Sequence, residues 1–389
     1  MNNYLITNND TNCYGCRACQ MSCPARAIEM LPNNEGFLYP VLDLSKCIKC
    51  NICETVCPFE NSSGIIKNPT ATFVCQNSNE SDLMISSSGG VFLAVSRYIL
   101  SINGYVCGCI FDSNMSAKHI ITNEFSEIKK MCGSKYVQSD LTNTYPQIKD
   151  LLEKKQTVLF TGTPCQVAGL QCYLKKDYSN LFTMDLICHG VPSPMLLKAY
   201  LESCRGTVHE LRFRDKQLNG WGPKGSITIE KKGRTCTERI SPYNNSYYQM
   251  YYINNNVNRC SCYECQYAQQ GRVGDISAGD FWNNSEHYNK HACEKGLSAL
   301  MVNTEQGRLL IDNVDLVLMP IDYDSIAKGN PNLSKPNHKP ESRDSFYSRL
   351  DELGYKKLSQ EECKYSYFIP FVKRHIPRFV KKALKKVIK

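Results

Sequence analysis

Within the first sixty residues one cysteine pattern occurs twice: Cys13-x2-Cys16-x2-Cys19-x3-Cys23-Pro24, then Cys47-x2-Cys50-x2-Cys53-x3-Cys57-Pro58. Three closely spaced thiolates and a fourth before proline form the ligand run of paired 4Fe-4S cubanes, where each cluster takes its fourth ligand from the other run. The first cluster is therefore expected on Cys13, Cys16, Cys19 and Cys57, and the second on Cys47, Cys50, Cys53 and Cys23. A disulfide framework would need an oxidising compartment. A zinc site would need four ligands without this doubled spacing. The exchange of ligands ties the two runs into one unit, and that unit carries electrons.

The chain has 389 residues, too many for such a unit alone and enough for one or two further domains with a sizeable core. Its start, Met1 to Asp10, lacks the basic and apolar regions of a secretory signal, and no run of eighteen apolar residues follows. A cytoplasmic location is expected. It suits 22 cysteines, because a reducing cytosol keeps thiols available for clusters. The net charge is +9. Eight Lys or Arg lie between Lys373 and Lys389 with no acid among them, and subtracting these leaves the rest near +1. A nearly neutral body gives nucleic-acid binding no electrostatic support.

Past Glu60 the composition changes. Residues 61–71, rich in Ser, Gly, Asn and Pro at their start, read as a linker. Ser86-Ser87-Ser88-Gly89-Gly90 precedes an apolar run predicted as a helix over Val91–Leu100, and Tyr105–Phe111 reads as a strand. Helices over Tyr145–Lys155 and Gln166–Leu174 alternate with strands over Thr157–Thr161 and Leu181–Ile187. Strand, crossover helix and strand imply a parallel βαβ unit. Cys165 and Cys188 would then lie at the carboxyl edge of the sheet, where open α/β sheets bind ligands. If the strands are neighbours, about 4.8 Å apart, both thiols could serve one cluster. A helix near Met195–Cys204 and strands over Leu211–Arg214, Ser226–Glu230 and Thr235–Ile240 follow, the last two joined at Lys232-Gly233 as a hairpin. Tyr243–Asn258 shows no clear period. A third cysteine group then appears at Cys260, Cys262 and Cys265.

Six phrases in this body resemble the coenzyme F-420 hydrogenase/dehydrogenase beta-subunit family and its bacterial relatives. They are Ser87-Ser88-Gly89-Gly90, Gly133-Ser134-Lys135-Tyr136-Val137-Gln138-Ser139, Gly162-Thr163-Pro164-Cys165-Gln166, Asp185-x2-Cys188-His189-Gly190-Val191-Pro192-Ser193, Ser261-Cys262-Tyr263-x-Cys265, and Asp275-Ile276-Ser277-x-Gly279-Asp280-Phe281-Trp282. The resemblance implies bound FAD, with Ser87, Ser88, Gly89, Gly90, Gly133, Ser134, Lys135, Tyr136 and Gln138 as the candidate contacts. A Ser/Gly turn opening a helix offers amide donors and the positive end of the helix dipole to a diphosphate, though it also suits an ordinary serine cap. Lys135 could add charge near phosphates or flavin, or be a solvated surface lysine. The resemblance further implies a third 4Fe-4S cluster on Cys165, Cys188, Cys262 and Cys265, with Cys260 as the rival ligand.

His189 could donate a proton or only a hydrogen bond. Asp275, Asp280 and Trp282 could orient a flavin or merely cap and pack. His287 and His291 have helical spacing but no zinc-protease partner. In the tail, Ile376, Val380, Leu384 and Val387 share one helical face and Lys381, Lys382, Lys385 and Lys386 the others, a pattern suited to an anionic membrane surface or to protein docking.

The expected fold is α+β: a two-cluster ferredoxin domain over 1–60, a linker over 61–71, an α/β reductase domain binding FAD and a cluster over 72–362, and a basic tail over 363–389. The expected function is an iron–sulfur flavoprotein reductase. It would take electrons from a ferredoxin or another redox donor protein and reduce a small molecule, with surface-polysaccharide metabolism one setting that the resemblance suggests. The alternative is an electron-transfer subunit serving a partner hydrogenase or dehydrogenase, or reducing a deazaflavin coenzyme.

Overall fold

Left-handed residues shape the N-terminal segment. In the computed structural model, which describes residues 3–62, 64–282 and 290–363, Arg17 (φ 62°) and Asn51 (φ 56°) stand just before the short helices Ala18–Ser22 and Ile52–Thr55. Each helix carries the third cysteine of its run. Between them, β1 (Ile28–Pro32) and β2 (Leu38–Leu42) pair as an antiparallel hairpin. The sequence repeat is thus also a structural repeat.

The body is built on an eight-stranded mixed sheet. Its strands are β3 (Ala71–Asn77), β4 (Tyr105–Phe111), β5 (Ala117–Thr122), β6 (Val158–Gly162) and β7 (Leu181–Leu186), then, after a separate three-stranded sheet of β8 (Thr207–Arg212), β9 (Gly225–Lys231) and β10 (Arg234–Ile240), β11 (Ile276–Asp280), β12 (Ser298–Val302) and β13 (Leu316–Pro320). The order across the large sheet is β13-β3-β12-β11-β7-β6-β4-β5. The centre, β4, β6, β7 and β11, is parallel and both flanks are antiparallel. All five residues of β6 are buried, as expected of a strand covered on both faces. The predicted βαβ unit is present: β6 and β7 are neighbours from Val158↔Leu181 to Gly162↔Asp185. The crossover helix Pro164–Leu174 begins with a Thr163/Gln166 capping box and proline in its first turn, both strong start signals.

One face of the sheet packs with helix Val91–Ser101 through Val91, Leu93, Val95 and Ile99. The other packs with helices Thr144–Glu153 and Pro164–Leu174, and this core also includes Tyr14, Cys16, Ala18 and Val56 of the N-terminal unit. The N-terminal unit is therefore part of the body's core rather than a tethered bead. The expected linker is fastened too: the Ser62 hydroxyl meets Gln266 (3.1 Å), and Lys67 and Arg272 exchange backbone hydrogen bonds of 2.7 and 2.8 Å. The aperiodic Tyr-rich segment forms a helix, Ser246–Gln249, that runs into a π-helical turn, Met250–Asn254, burying Tyr247, Tyr248 and Tyr251. Neither piece is long enough to show a 3.6-residue stripe. Helix Arg343–Glu362, broken at Gly354 (φ 69°), was not expected. Among the described residues no helix is long and apolar enough to cross a membrane. The proposed amphipathic tail, His287 and the side chain of His291 lie outside the described residues.

Candidate functional site

The first ferredoxin set converges as its spacing predicts. Burial raises the Cys16 and Cys19 thiols, and each is raised further by Cys13 and Cys57. Cys13, Cys16, Cys19 and Cys57 together line a small cavity of about 30 Å³. The second set lies outward: Cys50 is exposed, while Cys23, Cys47 and Cys53 are half-buried. In the body, burial raises Cys262, and Cys188, Cys265 and Cys165 each add to the rise. Cys165 in turn is pushed up to about 12 by burial, with contributions from Cys188 and Cys265. Four thiols separated by up to a hundred residues thus act on one another. Cys260 stands apart: the Arg343 guanidinium donates to its sulfur at 3.5 Å, and no other thiol is among the leading causes of its raised pKa.

A common turn marks several of these cysteines. The amides of Gly15, Lys49 and Gly190 donate to the sulfurs of Cys13, Cys47 and Cys188 at 3.3, 3.4 and 3.4 Å, and all three donors have positive φ. The Cys188 turn therefore repeats the ferredoxin geometry. The hydroxyls of Ser22 and Ser261 are buried without a hydrogen-bond partner, and each belongs to a residue adjoining one of these cysteines. A buried hydroxyl with no acceptor is costly, and cluster sulfurs are acceptors. These observations fit three cubanes. Among the described residues no three His, Cys, Asp or Glu side chains are set for a single metal ion.

The two thiol groups meet at Tyr14. Its phenol is raised by burial and then by Cys265, Cys165 and Cys57, so one ring lies within electrostatic reach of both the first set and the body set. Gly169 makes the close approach possible, since a Cβ there would lie 3.0 Å from the Cys16 Cβ and 3.1 Å from its sulfur. The Tyr267 hydroxyl bonds the Pro58 carbonyl (3.0 Å), and the Gln266 amide bonds that of Phe59 (3.1 Å).

Next to this junction is a cavity of about 700 Å³, within the range of large-ligand sites. Its wall includes Ser87, Gly90, Gly133, Cys165, Cys188 and Tyr14. Helix Val91–Ser101 begins there after left-handed Gly90, with no side chain capping it. Its first amides are the kind of donors a diphosphate takes. The two family phrases are joined through Ser87, whose hydroxyl oxygen accepts from the Ser134 amide (3.0 Å) and hydroxyl (3.1 Å). Gly133 is left-handed (φ 83°) and has no atom within 4 Å of where a Cβ would stand. This cradle fits an anionic dinucleotide.

Several expected contacts have other partners. Gly89 turns to the sheet: a Cβ would fall 2.3 Å from the Cys75 carbonyl oxygen and 2.6 Å from the Ser298 nitrogen. It is glycine because of the packing of its loop on β3 and β12. The Ser88 hydroxyl donates to the Leu297 carbonyl (2.8 Å). Lys135 also lines the cavity, but its ammonium is engaged elsewhere. Its ammonium donates to the carbonyls of Lys130, Met131 and Cys132 at 3.0, 2.7 and 2.8 Å, closing helix Phe125–Met131, and burial lowers its pKa to about 8. Tyr136 lines the cavity among Phe213, Tyr248 and Tyr251. Gln138, also at the wall, bonds the Tyr14 carbonyl (3.1 Å) and Arg259 (3.2 Å).

Asp275 is structural, accepting from the Thr183 amide and hydroxyl and from Thr304 at 2.7 Å each. Asp280 and Trp282 do reach the cavity. His189 lines it as well, its pKa lowered by burial. Sequence reasoning missed Arg214, Lys216 and His119. Arg214 pairs with Asp280 (2.7 Å) and bonds the Ser87 carbonyl (3.1 Å). Lys216 donates to the carbonyls of Leu83 (2.8 Å) and Ser88 (2.6 Å), and burial lowers its pKa to about 7. Strand alternation would put Arg214 beside exposed Arg212, but β8 ends at Arg212 and the chain turns in. His119 lines the cavity between Thr161 and Ser139, and burial lowers its pKa to about 4.

Residues 155–317 match the family model for the C-terminal part of the beta subunit of coenzyme F420 hydrogenase/dehydrogenase, and residues 12–61 match the 4Fe-4S dicluster domain. A chain of the xenon-derivatised F420-reducing NiFe hydrogenase complex from Methanosarcina barkeri aligns at 18% identity and a TM-score of 0.45, over 78% of this chain and 91% of its own. No curated protein matches the chain.

Proposed function

For a chain that joins a 4Fe-4S dicluster domain to the C-terminal domain of the coenzyme F420 hydrogenase/dehydrogenase beta subunit, we propose an iron–sulfur flavoprotein oxidoreductase. It passes electrons from a ferredoxin-type donor toward FAD and a small-molecule acceptor. One cavity wall carries this reading, because Ser87, Gly90 and Gly133 share it with Cys165, Cys188 and Tyr14. Clusters supply single electrons, and bound FAD pairs them for hydride chemistry.

The chain's own residues have distinct tasks in this reading. Gly90, Gly133 and the first amides of helix Val91–Ser101 would hold the diphosphate, with Ser87 and Ser134 joining the two loops around it. Arg214, anchored by Asp280, sets a permanent positive charge behind Ser87. Lys135 and Lys216 brace carbonyls beneath those loops. Neutral His119 is positioned by Ser139 and the Thr161 carbonyl. The exposed Cys50 end faces solvent and suits a docking donor, whereas the Cys16 end is enclosed by the body.

Anaerobically purified protein is expected to hold about twelve irons and twelve sulfides, the content of three cubanes, together with flavin. Ser87→Asp keeps an acceptor for the Ser134 amide but puts a carboxylate beside the uncapped helix. It should abolish flavin binding while iron content stays constant. Full flavin retention in that variant would refute the placement. A wild-type protein with twelve irons and no flavin would favour the electron-transfer-subunit reading.

A further inference from the structure

Four arginines among the described residues are almost fully buried: Arg214, Arg259, Arg272 and Arg343. Three have a carboxylate: Arg214 pairs with Asp280 at 2.7 Å, Arg272 with Asp185 at 2.5 Å, and Arg343 with Glu35 at 2.5 Å. Arg259, 1% exposed, is different. Its Nε donates to the Cys13 carbonyl (2.7 Å), Nη1 to the Gln138 side-chain oxygen (3.2 Å) and Nη2 to the Leu38 carbonyl (3.1 Å). The guanidinium carbon lies 3.9 Å from the centre of the Tyr39 ring. Every one of these partners is neutral. No carboxylate of the described residues stands within the 4.0 Å of an ion pair. The Asp10 carboxylate, its pKa raised by burial and Glu35 and lowered by Arg259, acts on the guanidinium only from beyond ion-pair distance.

A buried cation with no carboxylate at ion-pair distance is expensive, and Arg stays protonated at any working pH. The Arg259 Nε holds the Cys13 carbonyl while its own carbonyl accepts from the Cys262 amide (2.9 Å), and both thiols act on it electrostatically, one from each side of the junction. Arg259 also acts on Cys165. A cubane held by four thiolates is a net anion that gains a further negative charge on reduction. We propose that Arg259 is the shared counter-cation of the first and third clusters, set between Cys13 and Cys262 so that it favours the reduced state of both. This rests on the reading that Cys13/Cys16/Cys19/Cys57 and Cys165/Cys188/Cys262/Cys265 each hold a cubane. The step it assists moves one electron and no proton: one cluster is oxidised as the other is reduced, and a low-potential one-electron donor protein supplies the electron. Arg259 is a tuning residue, and it touches no substrate.

The test is a redox titration of holoprotein followed by electron paramagnetic resonance, with iron counted in each sample. In Arg259→Met, two of three cluster signals should become at least tenfold harder to reduce, about 59 mV for a one-electron couple, and the third should move less. Arg259→Lys keeps the charge and should restore most of the shift. Gln138→Glu sets a carboxylate where an oxygen already lies 3.2 Å from Nη1 and should lower the same two potentials with Arg259 in place. Iron lost from the Met variant but kept by the Lys variant also supports the proposal. Unchanged potentials in loaded variants, equal shifts of all three signals, or iron lost from all three variants including Lys would overturn it. A wild-type protein with about eight irons would instead sink the third-cluster reading, and the shift would then be sought in the first cluster alone.

Discussion

The two ferredoxin sites share one ligand run and one turn geometry, yet they occupy opposite environments. At the first, Cys16 is 8% exposed and packed on Gly169 of the crossover helix. At the second, Cys50 is exposed, and the segment leading to it also exposes Leu44 at 79% and Ile48 at 65%. The motif specifies the cofactor. Partners some two hundred residues away in sequence, Arg259, Gln266 and Tyr267, decide which copy is enclosed. An enclosed site beside an exposed one gives an electron carrier a direction in space.

The largest expected difference lies in the cysteines themselves. Cys16→Ser should remove the first cluster and also lower the thermal midpoint of the whole chain, because the body's core includes Cys16. Cys50→Ser should remove only the second cluster and, on the proposed cofactor set, leave the flavin and the third cluster intact. Equal losses in iron analysis and thermal unfolding would break the comparison.

Next is the ion pair at the junction. Glu35→Ala leaves buried Arg343 without its carboxylate, and breaking such a pair costs about 3 to 5 kcal/mol. Asp43→Ala, on the exposed side, should leave the unfolding midpoint unchanged. Packing comes third. Gly169→Val drives atoms against Cys16 and the Tyr145 hydroxyl and should cost about 1 to 3 kcal/mol. Gly64→Ala meets nothing within 4 Å and should be silent in denaturant titrations.

The last difference is a pH dependence, and it belongs to the body alone. Lys135 has a folded pKa of about 8, below the ordinary lysine value of 10.5. The folded state therefore releases this proton before the unfolded chain does, and stability should rise as pH goes from about 8 to 10.5. Lys135→Met should flatten that rise and weaken the close of helix Phe125–Met131 while flavin is retained. Loss of flavin in this variant would restore a direct cofactor role.

Much of this was legible because the relevant signals are local. The eight ferredoxin cysteines declare themselves by spacing, and the βαβ unit by apolar runs around Thr163-Pro164. The hairpin at Lys232-Gly233 shows as two left-handed residues, φ 52° and 72°. Gly89 and Lys135 carry contacts that were not legible for one shared reason: a glycine or lysine in a polar loop looks available for a ligand until the fold supplies its neighbours. Those are β3 and β12 for Gly89 and three helix-end carbonyls for Lys135.

By itself, then, the sequence determined the cofactor chemistry of the N-terminal unit, the parallel centre of the sheet and the edge on which Cys165 and Cys188 stand. These rest on spacing and periodicity, which act over a few residues. Only the tertiary structure brings Cys262 and Cys265 within electrostatic reach of those two thiols, a grouping that the family resemblance had implied, sets Cys260 beside Arg343, and buries Arg259 with no carboxylate at ion-pair distance. Burial and charge compensation depend on which distant segments meet, and no local pattern records that.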